Sequence, residues 1–208
     1  MPASVAEPAT GDGHPAHARI LILSGPSGSG KSTVVRALTA ECGDTIRPCV
    51  SATTRPPRVG ETDGRDYHFL DDGQFHRRRE AGEFLETAEV HGRGYWYGTL
   101  WSEIDAAQAD GAWALLEIDV AGARTVLTRY PEAVTVFLST STEAEFERRL
   151  RSRGTESEEE IRRRIETART ELAEADGYRF RVYNDDLPAA VARLCEILAA
   201  YPPSTDPL

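Results

Sequence analysis

Basic charge is scarce in this 208-residue chain: 24 Lys and Arg stand against 34 Asp and Glu, for a net charge of −10. A general binder of nucleic acid or anionic membrane needs a basic face, so the composition argues against both partners. Anionic small molecules remain open, because a local basic cluster can sit on an acidic protein. Cysteine is also sparse. Cys42, Cys49 and Cys195 are odd in number and form no C-x-x-C pair. That suits buried thiols in a reducing cytoplasm better than a disulfide framework or a zinc site. No apolar run approaches the roughly 18 to 20 residues of a membrane span. Residues 1–18, MPASVAEPATGDGHPAHA, have neither a basic leader nor an apolar middle, so they read as a disordered tail and not as a signal peptide. Residues 202–208 read as a second tail, and there is no internal repeat. What remains, 19–201, has the length and the apolar content (40% of the whole chain) of one soluble domain with its own core.

Short apolar runs alternate with amphipathic stretches. Arg19 to Ser24, Ala112 to Asp119 and Ala133 to Ser139 are apolar and bounded by Gly or Pro, as buried parallel strands tend to be. Ile46 to Thr54 reads as a second strand and Arg179 to Asn184 as the last. Helices are expected over Lys31 to Glu41, Asp71 to Gly82, Trp101 to Asp110 and Pro188 to Ala200. Two further helices begin at capping boxes, Thr142-x-x-Glu145 and Ser157-x-x-Glu160. The second carries an apolar stripe of Ile161, Ile165, Ala168 and Leu172. The alternation predicts an α/β fold with a mostly parallel central sheet.

Between the first strand and the first helix lies GPSGSGKST, residues 25–33. It matches G-x-x-x-x-G-K-S/T, with Gly25, Gly30, Lys31 and Ser32 at the fixed positions. Glycines let backbone N–H groups turn inward onto phosphate oxygens, and the following helix adds its positive end. Lys31 is placed to reach the β and γ phosphates of a nucleoside triphosphate, and the Ser32 hydroxyl to ligate Mg²⁺. Lys31 is also the only lysine in the chain. A compact ammonium is needed at this position, and an arginine fork does not replace it.

A second stretch, SATTRPPRVGETDGRDYHFLD from Ser51 to Asp71, sets Arg55 and Arg58 three residues apart around two prolines. Two guanidinium forks and a tyrosine hydroxyl suit a terminal phosphate, although composition alone favours an ordinary solvated basic loop.

With these residues in view the sequence resembles the guanylate kinases. The stretch is similar to that family's S-x-T-T-R-x-P-R-x-G-E-x-x-G-x-D-Y-x-F signature. Glu86 in EFLE, Tyr97-Gly98-Thr99, Glu117-Ile118-Asp119, the run Arg149 to Glu156 and Asn184-Asp185-Asp186-Leu187 follow in order. The resemblance implies a nucleoside monophosphate kinase fold with a GMP-binding insert at about 50–100 and a lid at about 141–176. It implies an ATP site of Gly25, Pro26, Ser27, Gly28, Ser29, Gly30, Lys31, Ser32, Thr33 and Asn184. It further implies that Arg55, Arg58, Tyr67 and Tyr97 hold the GMP phosphate, that Ser51 and Thr99 face guanine O6, and that Glu86 and Asp119 accept from N1–H and the 2-amino group. A carboxylate is acceptor-only and matches those two donors, whereas adenine's N1 carries no proton. Ala121 stands where many family members have glutamine, which leaves the support of Asp119 to be found.

The reaction implied is MgATP + GMP giving ADP + GDP. The attacking phosphate oxygen is already ionised, so no catalytic His or Asp constellation is needed. Lys31 and Arg55 belong to the expected charge-screening set, with Arg149, Arg153 and Arg164 as a lid that closes over ATP and excludes water. Arg148, Arg151, Arg162 and Arg163 are expected to be solvated partners of local glutamates. Two other readings use the same residues. A kinase of another phosphorylated small molecule, such as a ribose bisphosphate, has no use for Ser51, Glu86 and Asp119. A non-catalytic module that binds phosphopeptides has no use for the P-loop and the lid arginines. Oligomeric state, monomer or homodimer, is not encoded in any motif.

Overall fold

A computed structural model describes residues 18–89, 94–152 and 158–201. In chain order it contains β1 (Ile20–Ser24), α1 (Lys31–Cys42), β2 (Ile46–Pro48), β3 (Ala52–Thr53), β4 (His68–Phe69), α2 (Asp72–Glu80), β5 (Phe84–Glu89), β6 (Trp96–Leu100) and α3 (Trp101–Ala109). Then follow β7 (Trp113–Glu117), α4 (Val120–Arg129), β8 (Val134–Ser139), α5 (Glu143–Ser152), α6 (Glu158–Leu172), β9 (Phe180–Tyr183) and α7 (Leu187–Ala199).

The central sheet has the order β2-β7-β1-β8-β9 and is parallel throughout. Its middle strands are buried on both faces, which is why β1 and β8 read as unbroken apolar runs. One core layer packs α1 and α7 against Leu21, Leu115, Val136 and Leu138; the other packs α3 and α4 against Ile20, Ile22, Leu116 and Ile118. A smaller second sheet, β4-β3-β6-β5, has a core of Ala52, Phe75 and Leu100.

The expected strand over Ile46 to Thr54 divides into β2 and β3, which belong to different sheets. The Cys49 amide still donates to Leu115 O of the central sheet at 2.9 Å, and the chain then leaves it. The second sheet also supplies two strands, β5 and β6, that hydropathy does not announce. The FLETAE segment is too polar to read as an apolar run, and it pairs antiparallel with β6. Hydropathy does not announce helix α4 either. At the start of α5 the Glu145 amide donates to Thr142 Oγ1 at 3.2 Å, as capping requires. Ser157 lies outside the described residues. In α6, Ile161 and Ala168 are buried as the stripe predicts, but Leu172 is exposed. Cys49 is buried; Cys42 and Cys195 are half-buried, with their sulfurs 3.4 Å apart.

Candidate active site

The loop from Gly25 to Gly30 follows the carboxyl end of β1, where parallel sheets place their ligands. Gly25 has φ 149°, and a Cβ there would stand 2.0 Å from Leu138 O, so the loop lies directly against β8. At Gly30, with φ 92°, a Cβ would stand 2.4 Å from the Asn184 amide nitrogen. That amide, buried, donates to Ser29 O at 2.9 Å. Asn184 therefore fixes the far side of the loop while β8 fixes the near side. Lys31 Nζ donates to Gly25 O at 2.6 Å and to Pro26 O at 3.2 Å, which folds the ammonium over the loop. Burial pushes its pKa down, and the charges of Glu117, Glu171 and Asp119 oppose that shift.

Ser32 Oγ donates to Glu117 Oε1 at 2.8 Å. A hydroxyl and a carboxylate side by side are hard oxygen donors of the kind Mg²⁺ takes. Among the described residues no group of three or more His, Cys, Asp and Glu forms a metal cage.

Across from the loop, the second sheet carries a buried carboxylate. Glu86, on β5, is 5% exposed, and Thr99 Oγ1 on β6 donates to its Oε1 at 2.8 Å. Burial raises its pKa to about 7; the Thr99 hydroxyl opposes the shift and the charge of Asp119 adds to it. Asp119 caps α4, accepting from the Gly122 amide at 2.8 Å. A Cβ on Gly122 would stand 2.8 Å from Glu86 Oε2 and 3.3 Å from Asp119 Oδ1, so this glycine is the spacer between the two carboxylates.

Further along the second sheet, Arg55 is buried and forms a two-pronged pair with Glu61 at 2.9 and 3.0 Å. Its guanidinium lies 5.3 Å from the centre of the Tyr67 ring, which meets the Tyr97 ring edge-on at 5.9 Å. Burial works against the Arg55 charge, but hydrogen bonds to Glu61 and Tyr97 hold its pKa above the ordinary value. Burial also pushes the Tyr67 hydroxyl up to about 12. Arg58 differs from Arg55. Its amide donates to Glu61 Oε2 at 2.7 Å while the residue itself is exposed. Ser51 is half-buried at the edge of the same sheet.

Two of the three expected lid arginines touch the core. Arg164, on α6, donates to Ser27 Oγ at 2.9 Å. Arg149, on α5, donates to Glu145 at 2.7 Å and to Asp185 O at 3.3 Å. Arg153 lies outside the described residues. Arg148 pairs with Glu145, Arg151 with Glu147 and Glu158, and Arg163 with Glu159, all at exposed positions as expected.

Comparison with known proteins agrees with the family that the resemblance names. The family model for guanylate kinase matches residues 17–201. The chain belongs to the guanylate kinase family. The guanylate kinase of Mycobacterium tuberculosis is 45% identical over 197 residues, covering 94% of each chain. That of Rhodopirellula baltica is 45% identical over 181 residues, covering 86% of this chain and 87% of the relative. The crystal structure of guanylate kinase from Anaplasma phagocytophilum superposes with a TM-score of 0.72 at 30% identity, covering 91% of this chain and 89% of that one. Members of the guanylate kinase family transfer a phosphoryl group from ATP to GMP.

Against the family pattern, Ala121 is exposed and offers Asp119 nothing. The support comes from the Gly122 amide at the start of α4 instead. Sequence reasoning gave no role to four residues of this guanylate kinase site: Glu61, Glu117, Gly122 and the half-buried Glu171. Glu117 had a signal, since it ends a buried strand at the carboxyl edge of the sheet. Glu61 had one as well, as the acidic residue of the quoted signature, but Glu171 had none, because an isolated acidic residue in an acidic chain looks like surface.

Proposed function

We propose that this chain transfers the γ-phosphoryl group of MgATP to GMP, giving ADP and GDP. The observation that carries the reading is the buried Glu86 on β5, with Thr99 donating to it and Asp119, at the start of α4, beside it. A ribose bisphosphate has no base edge with paired N–H donors to set against two acceptor-only groups. Guanine presents two adjacent donors to them.

In this reading Gly25 to Thr33 and Asn184 hold ATP, and Ser51, Arg55, Arg58, Tyr67, Glu86, Tyr97, Thr99 and Asp119 hold GMP. The domain spans 19–201, with a GMP-binding insert at about 50–100 and a lid at about 141–176. Ser32, with Glu117 accepting its proton, would hold Mg²⁺, which when bound screens the β and γ phosphates. Lys31 supplies the fixed positive charge that the transferring group meets. Arg55 contributes a second, and Glu61 holds its planar fork in place before substrate arrives. Arg164 and Arg149, with Arg153, close over the triphosphate and keep water from accepting the phosphoryl group. No general base is required, because the GMP phosphate oxygen attacks already ionised.

Among the described residues no helix is long and apolar enough to cross a membrane. The acidic net charge and the free thiols support a cytoplasmic enzyme that acts on small molecules. The test is ADP release by the whole chain with MgATP and GMP, AMP or no acceptor. GMP-dependent release at least about 10⁴-fold more efficient than with AMP is expected of a site that pairs a substrate's donors. Equal release with both nucleotides, or with neither, would overturn the assignment.

A further inference from the structure

The backbone crosses between the two sheets twice, once after β2 and once where β6 runs into α3. At the first crossing one amide has no partner in either sheet. Cys49 still donates to Leu115 O in the central sheet, and on the far side His68 donates to Ser51 O and Leu70 to Thr53 O, both at 2.9 Å. The Val50 amide falls in the gap. It donates to Glu103 Oε2 at 3.0 Å. The other oxygen of that carboxylate, Oε1, is 2.9 Å from His68 Nε2.

These contacts close a ring: Glu103 to Val50, Val50 to Ser51 along the chain, Ser51 to the His68 amide, and the His68 imidazole back to Glu103. Ser51 is thus held on both sides. Glu103 belongs to the first turn of α3, where the helix end favours a negative charge. Helix α3 directly continues β6, the strand that carries Tyr97 and Thr99. One carboxylate therefore ties the outgoing crossing to the returning one.

We propose that Glu103 is a positioning residue for guanine recognition: by clasping Val50 and His68 against α3 it fixes Ser51 at the edge of the base site, in register with Thr99 and Glu86. This rests on the reading above, in which Ser51 faces the base. One oxygen of the carboxylate accepts from the Val50 amide while the other meets the His68 imidazole, so a single side chain serves both arms. Removing it strands a half-buried backbone donor, and the chain around Ser51 then shifts to recover a partner.

The experiment uses the full-length chain and variants Glu103→Leu, Glu103→Gln and His68→Leu, with and without Ser51→Ala. It records kcat and the KM values for GMP and for MgATP. Glu103→Leu is expected to raise KM for GMP about ten-fold, the size of one charge-assisted hydrogen bond, while KM for MgATP stays within about two-fold. Glu103→Gln keeps an oxygen for the Val50 amide and should recover most of the loss; His68→Leu should lie between the two. Ser51→Ala should cost GMP affinity in the parent but little on top of Glu103→Leu, because coupled residues are non-additive. If Glu103→Leu does not fold, Glu103→Gln, His68→Leu and their Ser51→Ala doubles carry the same comparison. Equal rises in both KM values, an unchanged KM for GMP, or full additivity with Ser51→Ala would overturn the clasp while leaving the kinase reading intact. Absence of GMP-dependent turnover in the parent would overturn the kinase reading, and the clasp with it.

Discussion

In the proposed site Glu86 meets guanine as an ionised carboxylate beside Asp119, yet burial raises its pKa from the ordinary 4.5 to about 7. On that reading GMP binds a form of the protein that is a minority species in mildly acid solution. Binding should release a proton below neutrality, and affinity should fall as the pH falls. For a single group titrating near 7, the loss between pH 7.5 and 5.5 is about 25-fold. The phosphate of GMP titrates near 6 as well, so the control is Glu86→Gln. This variant keeps one acceptor oxygen and cannot ionise. At pH 8 it should bind GMP more weakly than the parent by about 10- to 100-fold, the range for hydrogen bonds to a charged group. The two curves should converge near pH 5.5, where the parent carboxyl is protonated too. Calorimetric titration of GMP into each protein across this range measures the difference directly. Parallel curves from pH 5.5 to 8.5 would refute the argument.

The same shift makes a statement about the ligand-free fold. A carboxyl whose folded pKa lies above its unfolded value binds more protons when folded, so stability is greatest below the unfolded pKa and is lost as the pH rises. The window runs from about 4.5 to about 7, and the full shift corresponds to about 3 kcal/mol. Urea midpoints of the apo-protein should fall across that window on this account. Glu86→Gln should remove the fall, and added GMP should oppose it at the neutral end.

What the sequence made legible follows from what each residue must satisfy. Strands β1, β7 and β8 are buried on both faces, so their apolar runs admit one reading. The P-loop is legible because its glycines answer to backbone geometry, and nothing else explains them at that spacing. Strands β5 and β6 were not legible, because they build a two-faced sheet whose inner side holds Glu86 and Thr99. The residues that recognise a polar ligand are the ones that erase the hydropathy pattern. The break between β2 and β3 was hidden for a related reason. Apolar content continues through Cys49 and Val50, and only the partner of the Val50 amide shows that the sheet has changed. Glu61, Glu103 and Glu117 share this property. Each is defined by what it accepts from, and hydropathy carries no record of that.

Lys31→Ala or Lys31→Arg should remove most turnover while leaving GMP affinity in titrations nearly intact, since the P-loop and the Glu86 pocket are separate. Activity within about five-fold of the parent would contradict the P-loop assignment. Gly122→Ala places a methyl 2.8 Å from Glu86 Oε2 and should raise KM for GMP with little change in KM for MgATP; equal values would show that the two carboxylates yield freely. The lid is tested by alanine at Arg149, Arg153 and Arg164, with Arg151 and Arg163 as controls. Arg164 reaches Ser27 of the P-loop and Arg149 reaches Asp185 O, whereas the exposed controls, among the described residues, pair with glutamates of the lid helices. Exposed pairs of that kind contribute about 0 to 1 kcal/mol, so the controls should be nearly silent. An arginine that meets charge only in the transition state is worth about 10³ to 10⁵ in rate, with less for each member where three share the task. The lid variants should therefore lose kcat by at least about 10²-fold with GMP affinity nearly unchanged. Small and equal losses at all five positions would reduce α5 and α6 to a solvated charged surface, and the Arg164 contact to Ser27 would then be packing alone.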